Sequence, residues 1–244
     1  MTADAPSDWS AVLLDIEGTT TPITFVHRIL FPYARARLGA FASTHGRVPV
    51  VVEAIARLRQ EHAADVSAGA EPPAWPDGPG VDGLVAYLEW LMDRDRKSPG
   101  LKTLQGLIWE EGYSRGDLRG LVFDDVPGAL RRWHAAGRKI AIYSSGSVLA
   151  QRRLFQTTTD GDLTTIIDDF FDTSVGAKVD RGSYERIAAA LQVAPDRILF
   201  VSDVTAELSA ARQAGFQVRL ATRPGNAPQA DASQYVAVAG LAGV

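Results

Sequence analysis

The sequence predicts an α/β protein whose core is a Rossmann-like, doubly wound parallel sheet that carries an inserted helical cap. Short apolar segments predict buried strands, and most of them end in polar residues. Amphipathic segments with capping and stop residues separate the later strands and predict helices. Strands that alternate with helices are typical of a parallel sheet with helices on both faces.

The strands of this sheet are predicted from four short apolar runs. The first three runs end in polar or acidic residues at their carboxyl ends, as expected where a buried strand reaches the edge of a sheet. The fourth run is a weaker strand. The predicted strands cover residues 11–14, 139–143, 197–201 and 216–220.

Amphipathic segments fill the chain between the later strands. Gly137 and Gly215 follow two of these segments and are typical helix stops, and Ser183 is a capping candidate at the start of a third. The predicted helices cover residues 126–136, 183–191 and 204–214.

The region after the first strand has a different pattern. It is helical, most clearly at residues 50–58 and 84–92, and contains no convincing strand. Residues 67–83 are rich in Gly and Pro and predict a loop. We therefore predict a catalytic core made of residues 1–24 and 119–244, with residues 25–118 inserted as a helical cap.

Composition excludes several classes of protein. The chain has 244 residues and no cysteine, which excludes disulfides, thiolate catalysis and cysteine–zinc sites. A net charge of −4 argues against a nucleic-acid partner. Without a long apolar run or a signal-like start, we expect a cytoplasmic protein that neither spans a membrane nor carries a secretory signal. We also expect a monomer.

Asp15 and Glu17 follow the first predicted strand and are candidate catalytic residues. A carboxylate such as Asp15 can attack phosphorus and form an aspartyl-phosphate. If the strand pleat continues, residues two apart point the same way, so Glu17 is placed to protonate the leaving oxygen and then to activate water. The alternative, favoured for this pair taken alone, is that both acids simply begin a solvated loop.

Asp203 follows the third predicted strand and is a candidate magnesium ligand together with Asp15. Magnesium is usually held by one or two carboxylates, with phosphate oxygens and water completing its coordination. The alternative is that Asp203 caps the next helix. Glu207 lies one helical turn further, so it could reach the site behind the direct ligands, but the favoured role is that of an exposed acid in the first turn of that helix.

Ser144, Ser145 and Lys178 are candidate substrate-binding residues. The two serines can bind phosphate through hydroxyl and backbone N–H groups, and a lysine ammonium can neutralise phosphate charge. Each signal is weak alone, because serines cap helices and a lone lysine usually lies on the surface. Their joint order at strand ends favours phosphoryl transfer over unrelated caps and loops.

Other kinds of site are disfavoured. The four histidines show no close pairing that would indicate a metal site, and the chain lacks both the P-loop and the dinucleotide-binding glycine patterns. Binding of nucleoside triphosphates or dinucleotides is therefore unsupported.

The chain resembles the haloacid dehalogenase superfamily of aspartyl phosphatases in its ordered motifs, which are Asp15 with Thr19, then Ser144 and Ser145, Lys178 and Asp203. Most of that superfamily has a second Asp where this chain has Glu17, and this departure is typical of the enolase-phosphatase family of methionine salvage. Further segments similar to that family extend the resemblance over nearly the whole chain. The similar segments are DIEGTTTPITFV (15–26), DRKSPGLKTLQG (95–106), YSSGSV (143–148) and FVSDVTAE (200–207).

The resemblance implies a magnesium-dependent enzyme that acts twice at one site. It would enolise 5-methylthio-2,3-dioxopentyl phosphate and then remove the phosphate to give the acireductone. The resemblance also implies one Mg²⁺ per chain, held by the Asp15 side chain, the Glu17 backbone carbonyl and Asp203. Ser144, Ser145 and Lys178 would contact the substrate.

Three alternatives stay open from the sequence. A related phosphatase of another small phosphorylated metabolite is the first, because the cap decides specificity. A dehalogenase is less favoured, because that chemistry needs no metal and would leave Asp203 idle. A catalytically silent binding module is disfavoured by the full set of charged groups.

Overall fold

The computed structural model describes residues 9–78 and 80–244. Contacts divide the chain into two compact units, one formed by residues 1–26 and 119–244 and the other by residues 27–118. The sequence-based boundaries lie within two residues of these. The interpretation of the second unit as a cap over a catalytic core stays a prediction.

The described residues form six strands and ten α-helical segments, with a π-helical turn at Val26–Leu30 and several short 3₁₀ turns. The strands are β1 Ala11–Leu14, β2 Lys139–Tyr143, β3 Asp169–Phe171, β4 Ile198–Ser202, β5 Gln217–Ala221 and β6 Ala237–Val238. The helices are α1 Ile23–Phe25, α2 Phe31–Arg35, α3 Leu38–His45, α4 Pro49–Ser67, α5 Asp82–Asp93, α6 Pro99–Arg115, α7 Asp125–Ala135, α8 Val148–Gln156, α9 Arg181–Leu191 and α10 Thr205–Gln213.

The first unit is built on one parallel sheet with the strand order β3-β2-β1-β4-β5-β6. All five neighbouring pairs are parallel, which confirms the predicted doubly wound fold. Every residue of β1 and β4 is buried, as expected for central strands covered on both faces. Leu14 lies level with Ile142 of β2 and Val201 of β4, so the carboxyl ends of these three strands meet at one edge.

Several sequence predictions need correction. The strands β3 and β6 were missed, since they have only three and two residues, and the helix α8 was missed as well. The Gly/Pro-rich loop is shorter than predicted, because α4 continues to Ser67 and α5 already begins at Asp82. Ser183 does not cap α9, because the Asp180 side chain accepts the hydrogen bond from Gly182 N at 3.0 Å.

The second unit contains only helices among its described residues, as predicted. Its helices α4 and α6 pack closely at Gly100, where a Cβ atom would lie 2.5 Å from Leu58 Cγ. The indole of Trp109 donates a hydrogen bond to Leu30 O at 2.8 Å and ties α6 to the start of the unit. None of the helices in the described ranges is long and apolar enough to cross a membrane.

A buried aspartate links three segments of this unit. Asp65 on α4 is 6% exposed and accepts hydrogen bonds from the Tyr87 hydroxyl and from Arg96 Nη2, both at 2.7 Å. Burial alone would raise the pKa of Asp65, but these hydrogen bonds outweigh it and hold the pKa below its ordinary value. The ionised carboxylate therefore stabilises the folded unit.

We predict that Asp65→Asn lowers the free energy of unfolding at pH 7 by about 1–3 kcal/mol, because it removes the charge that Arg96 and Tyr87 face. The folded pKa is depressed, so this contribution is present above the unfolded pKa of about 3.9 and is lost as the pH falls through the folded value. Denaturant unfolding at several pH values measures it. Asp93→Asn is the control, since Asp93 is half-exposed in its pair with Arg35. Equal effects of the two substitutions at pH 7 would contradict the prediction.

Candidate active site

The site lies where the strand order of the sheet reverses. From β1 the sheet extends to β2 and β3 on one side, and from β4 to β5 and β6 on the other. In open parallel sheets, ligands bind in the crevice outside the carboxyl ends of the two strands at this point. Asp15 directly follows β1 and Asp203 directly follows β4, so both acids stand at this crevice.

A tight turn holds Asp15 in place. Its backbone N–H donates to Val201 O at 3.0 Å, and the Thr20 hydroxyl donates to its carbonyl at 3.1 Å. Gly18 has a φ of 73°, a left-handed conformation that glycine adopts without strain, and this closes the turn. Asp15 is thus 4% exposed and its side chain has a fixed orientation, which argues against a solvated loop.

Lys178 connects this turn to the rest of the site. Its Nζ lies 2.5 Å from Asp15 Oδ1 and 2.7 Å from Glu207 Oε2. Burial alone would lower the pKa of Lys178, but the two carboxylates outweigh it and raise the pKa above its ordinary value. The side chain is only 11% exposed, so the interpretation of Lys178 as a surface lysine is wrong.

Glu207 differs from its sequence prediction. It is buried rather than exposed, because the first turn of α10 faces the strand ends, where the carboxylate meets Lys178. The Ser202 hydroxyl donates to Glu207 Oε2 at 2.8 Å. Burial raises the pKa of Glu207, while Lys178 opposes this shift. Asp203 follows β4 and Glu207 lies in the first turn of α10, so the short distance between them along the chain is the sequence signal that places both acids near the strand end.

Asp203 is not a helix cap. The N-cap position of α10 is Val204, and no side chain caps it. The Asp203 carboxylate instead lies against Gly18, where a Cβ atom would collide with Asp203 Oδ2. Burial, together with the negative charges of Asp15 and Glu207, raises the pKa of Asp203 to about 7.

Ser144 and Ser145 lie in the loop after β2. Ser144 is half-buried, its N–H donates to Phe171 O at 3.1 Å, and its hydroxyl accepts from Gly146 N at 3.2 Å. Ser145 is exposed. Neither serine caps α8, because Ser147 occupies the N-cap position and accepts from Ala150 N.

Sequence reasoning missed Gln151, which supports this serine loop. It is 2% exposed, and its Nε2 donates to Gly146 O and to Phe171 O, both at 2.8 Å. The side chain thus fixes the loop after β2 against the end of β3. A polar residue on an amphipathic helix gives no local signal for such a role.

Glu17 lies in the turn after Asp15 and is half-buried. Its backbone forms an isolated bridge with Thr21. Because β1 ends at Leu14, the pleat argument for a shared direction of the two acids does not hold here. The catalytic role of Glu17 stays a prediction.

The oxygen atoms of this site suit a magnesium ion. Three buried carboxylates, those of Asp15, Asp203 and Glu207, face the single ammonium of Lys178, which leaves the cluster short of positive charge. Within the described ranges, no group of three or more His, Cys, Asp or Glu side chains is arranged to hold a metal ion, so a bound Mg²⁺ would keep water and phosphate oxygens among its ligands, as magnesium usually does.

Comparison with known proteins identifies the family of this chain. The family described as haloacid dehalogenase-like hydrolase matches residues 9–215. A protein named Enolase-phosphatase E1 from Synechococcus elongatus is 52% identical over 91% of this chain and 92% of its own length. A protein of the same name from Frankia alni is 48% identical over 94% of this chain and 92% of its own length.

Solved structures give the same result. The crystal structure of the UTR4 protein from Saccharomyces cerevisiae matches with a TM-score of 0.74 and 34% identity, over 95% of this chain and 98% of that chain. A dehalogenase with 19% identity and a TM-score of 0.56, over 98% of this chain and 96% of that chain, shares the fold. The resemblance seen in the sequence is confirmed, and the chain belongs to the haloacid dehalogenase-like hydrolases and, within them, to the enolase-phosphatase family.

Proposed function

We propose that this chain enolises 5-methylthio-2,3-dioxopentyl phosphate and then removes its phosphate to give the acireductone of methionine salvage. The observation that carries the proposal is the buried Asp15 carboxylate, held by Lys178 at the carboxyl end of β1 with Asp203 across the crevice. This arrangement provides a fixed nucleophile beside a cation at a ligand-binding crevice. The names of the relatives support the choice of reaction within the family.

Asp15 is the nucleophile of the phosphate-removing step. One of its oxygens attacks phosphorus, the bond from phosphorus to the substrate oxygen breaks, and an aspartyl-phosphate forms. Lys178 holds Oδ1 at 2.5 Å, and the Thr19 hydroxyl lies 3.4 Å from Oδ2, so the plane of the carboxylate is fixed before the substrate arrives. Ser144 and Ser145 bind phosphate oxygens from the loop after β2, and Lys178 offsets phosphate charge.

Glu17 carries the protons of this step in our proposal. It protonates the leaving oxygen and later takes a proton from the water that hydrolyses the aspartyl-phosphate, as a general acid and then a general base. The turn after Asp15 is a short and ordered segment that keeps the two acids near each other.

One Mg²⁺ per chain completes the site in this proposal, with Asp15, the Glu17 carbonyl and Asp203 as its protein ligands. When bound, the ion offsets the repulsion between an anionic nucleophile and an anionic phosphate. The oxygen-only donor set and the excess of carboxylates over ammonium groups support this assignment.

Enolisation precedes phosphate removal in this scheme. Removal of a proton next to a carbonyl needs a base and a polarised carbonyl oxygen, but no nucleophile. The resulting enol makes the second step easier, because an enolate leaves phosphorus more readily than a simple alkoxide. Asp15 is therefore needed for the second half-reaction and not, as a nucleophile, for the first.

A panel of phosphate esters tests the proposed substrate. We expect Mg²⁺-dependent phosphate release to be fastest with the dioxo phosphate. Faster release from another metabolite would indicate a related phosphatase, and no release from any ester would indicate a silent binding module.

We further propose that the protein acts as a cytoplasmic monomer. Sedimentation tests its oligomeric state, and cell fractionation tests its location.

For the metal, we predict that Asp203→Asn weakens Mg²⁺ binding and activity together while the fold stays intact, because it removes one of two anionic ligands. Calorimetric titration with Mg²⁺ and circular dichroism measure both properties. Asp196→Asn is the matched control, since Asp196 is exposed at the amino end of β4. An unchanged Mg²⁺ affinity in Asp203→Asn would contradict the assignment.

For Glu17, we predict that Glu17→Gln lowers turnover by about 10²–10⁴-fold, the range of general acid–base catalysis. Mg²⁺ affinity should be retained, because the proposed ligand is the backbone carbonyl. Steady-state kinetics and calorimetry on the same preparation test the two parts. Glu185→Gln on the exposed face of α9 is the control. Near-normal turnover on a substrate with a poor leaving group would overturn the proposed role.

For Asp15, we predict that Asp15→Asn releases no phosphate yet still converts the dioxo phosphate into a conjugated enol-phosphate with a new ultraviolet band. Because Asp15 is also a proposed metal ligand, Mg²⁺ binding must be measured on the same variant. If the metal is retained, the band should build up and persist. Phosphate release at an ordinary rate would show that Asp15 is not the nucleophile. Release from the wild type before any band forms would show that the proposed order is wrong.

A further inference from the structure

The loop that carries Lys178 is held by three side-chain hydroxyls. The backbone carbonyls of residues 176–178 each accept a hydrogen bond from a side-chain hydroxyl, and these three bonds are 2.9, 2.8 and 2.7 Å long in chain order. Tyr143 donates to the first of these carbonyls, Ser183 to the second and Tyr184 to the third. We call these three residues the hydroxyl clamp.

The clamp is rigid because its members belong to regular elements of the core. Tyr143 is the last residue of β2, and Ser183 and Tyr184 lie in the first turn of α9. All three residues are fully buried. The Tyr184 ring is enclosed by other rings, with centroids 5.2 Å from Phe200 and 5.7 Å from Tyr143.

The backbone conformation of the lysine loop allows the clamp hydroxyls to approach it closely. Gly176 has a φ of 129°, a conformation that favours glycine, and a Cβ atom there would collide with the Ser183 hydroxyl oxygen. The Asp180 side chain then starts α9 by accepting from Gly182 N. The backbone on both sides of Lys178 is therefore fixed.

The clamp matters because of what Lys178 must do. A lysine side chain is flexible, so the place of its ammonium depends on where its backbone is anchored. Here the ammonium must lie between Asp15 Oδ1 and Glu207 Oε2, at 2.5 and 2.7 Å. The ion pairs hold one end of the side chain, and the clamp holds the other.

We propose that Tyr143, Ser183 and Tyr184 are positioning residues, which set phosphate affinity by fixing the backbone from which the Lys178 ammonium reaches the phosphate-binding position. The inference rests on the proposed function, since it assigns Lys178 a contact with phosphate. A role in stability alone would lower the melting temperature and leave the phosphate affinity of the folded protein unchanged.

Tyr184→Phe tests the inference, because it removes one hydroxyl and keeps the ring that packs in the core. The measurement is the dissociation constant of inorganic phosphate by calorimetry with Mg²⁺ present, together with the Mg²⁺ affinity and the melting temperature. We expect phosphate affinity to fall about 5- to 20-fold, a loss comparable to the free energy of one buried hydrogen bond, because the Lys178 ammonium is no longer held at the phosphate-binding position. Mg²⁺ affinity should stay unchanged.

Tyr235→Phe is the matched control. The Tyr235 hydroxyl also donates to a backbone carbonyl, that of Thr205 at 3.2 Å, but outside the lysine loop. Phosphate affinity should be unaltered in this variant. Ser183→Ala removes a second hydroxyl of the clamp, the one that donates to Ala177 O. If Tyr184→Phe fails to fold, the phosphate affinity of Ser183→Ala tests the inference instead.

Unchanged phosphate affinity in folded Tyr184→Phe or Ser183→Ala would overturn the inference. An equal loss in Tyr235→Phe would also overturn it, since the effect would then be general. The measurement needs no turnover, so it is separate from the proposed reaction. If the wild type binds phosphate but releases none from the dioxo phosphate, the proposed substrate fails while the inference is still tested.

Discussion

The buried ammonium of Lys178 between the carboxylates of Asp15 and Glu207 is the interaction on which the site depends. Removing a charge from water is costly unless a partner compensates it, so these groups stabilise the fold only as a set. The set joins the turn after β1, the loop before α9 and the first turn of α10. The ion pairs that position the proposed catalytic groups therefore also hold these three segments together.

The charges of the set are not balanced by the chain itself. Asp203 adds a third buried carboxylate, and its pKa is raised to about 7 by burial and by the neighbouring acids. A site with this excess of negative charge would repel a phosphate group. Under the proposed function, a divalent cation supplies the missing positive charge, while Lys178 and the serine loop after β2 receive the phosphate. Carboxylate oxygens are the ligands that hard cations such as Mg²⁺ prefer, so the same excess of negative charge supports the proposed cofactor.

The sequence predicts most of the sheet, because buried strands and acidic strand ends leave local patterns. It does not predict β3 or β6, whose three and two residues are too short to show a period. The burial of Glu207 was not the favoured expectation, and the hydrogen bonds of Gln151 and Tyr184 to nearby loops were missed, since they depend on how far a helix lies from a loop in three dimensions. Lys178 was identified as a site residue, but only its ion pairs distinguish it from a surface lysine.

The central claim is that Asp15 carries the phosphate during turnover, and trapping that intermediate tests it most directly. Substrate labelled in its phosphate is mixed with the Mg²⁺-loaded protein and quenched in acid within the first turnover, and the labelled peptide is then sequenced. The account predicts label on the peptide that contains Asp15, removable by hydroxylamine as expected of an acyl-phosphate, and no label in Asp15→Asn. Label on another residue, or labelling of Asp15→Asn to the wild-type level, would contradict the account.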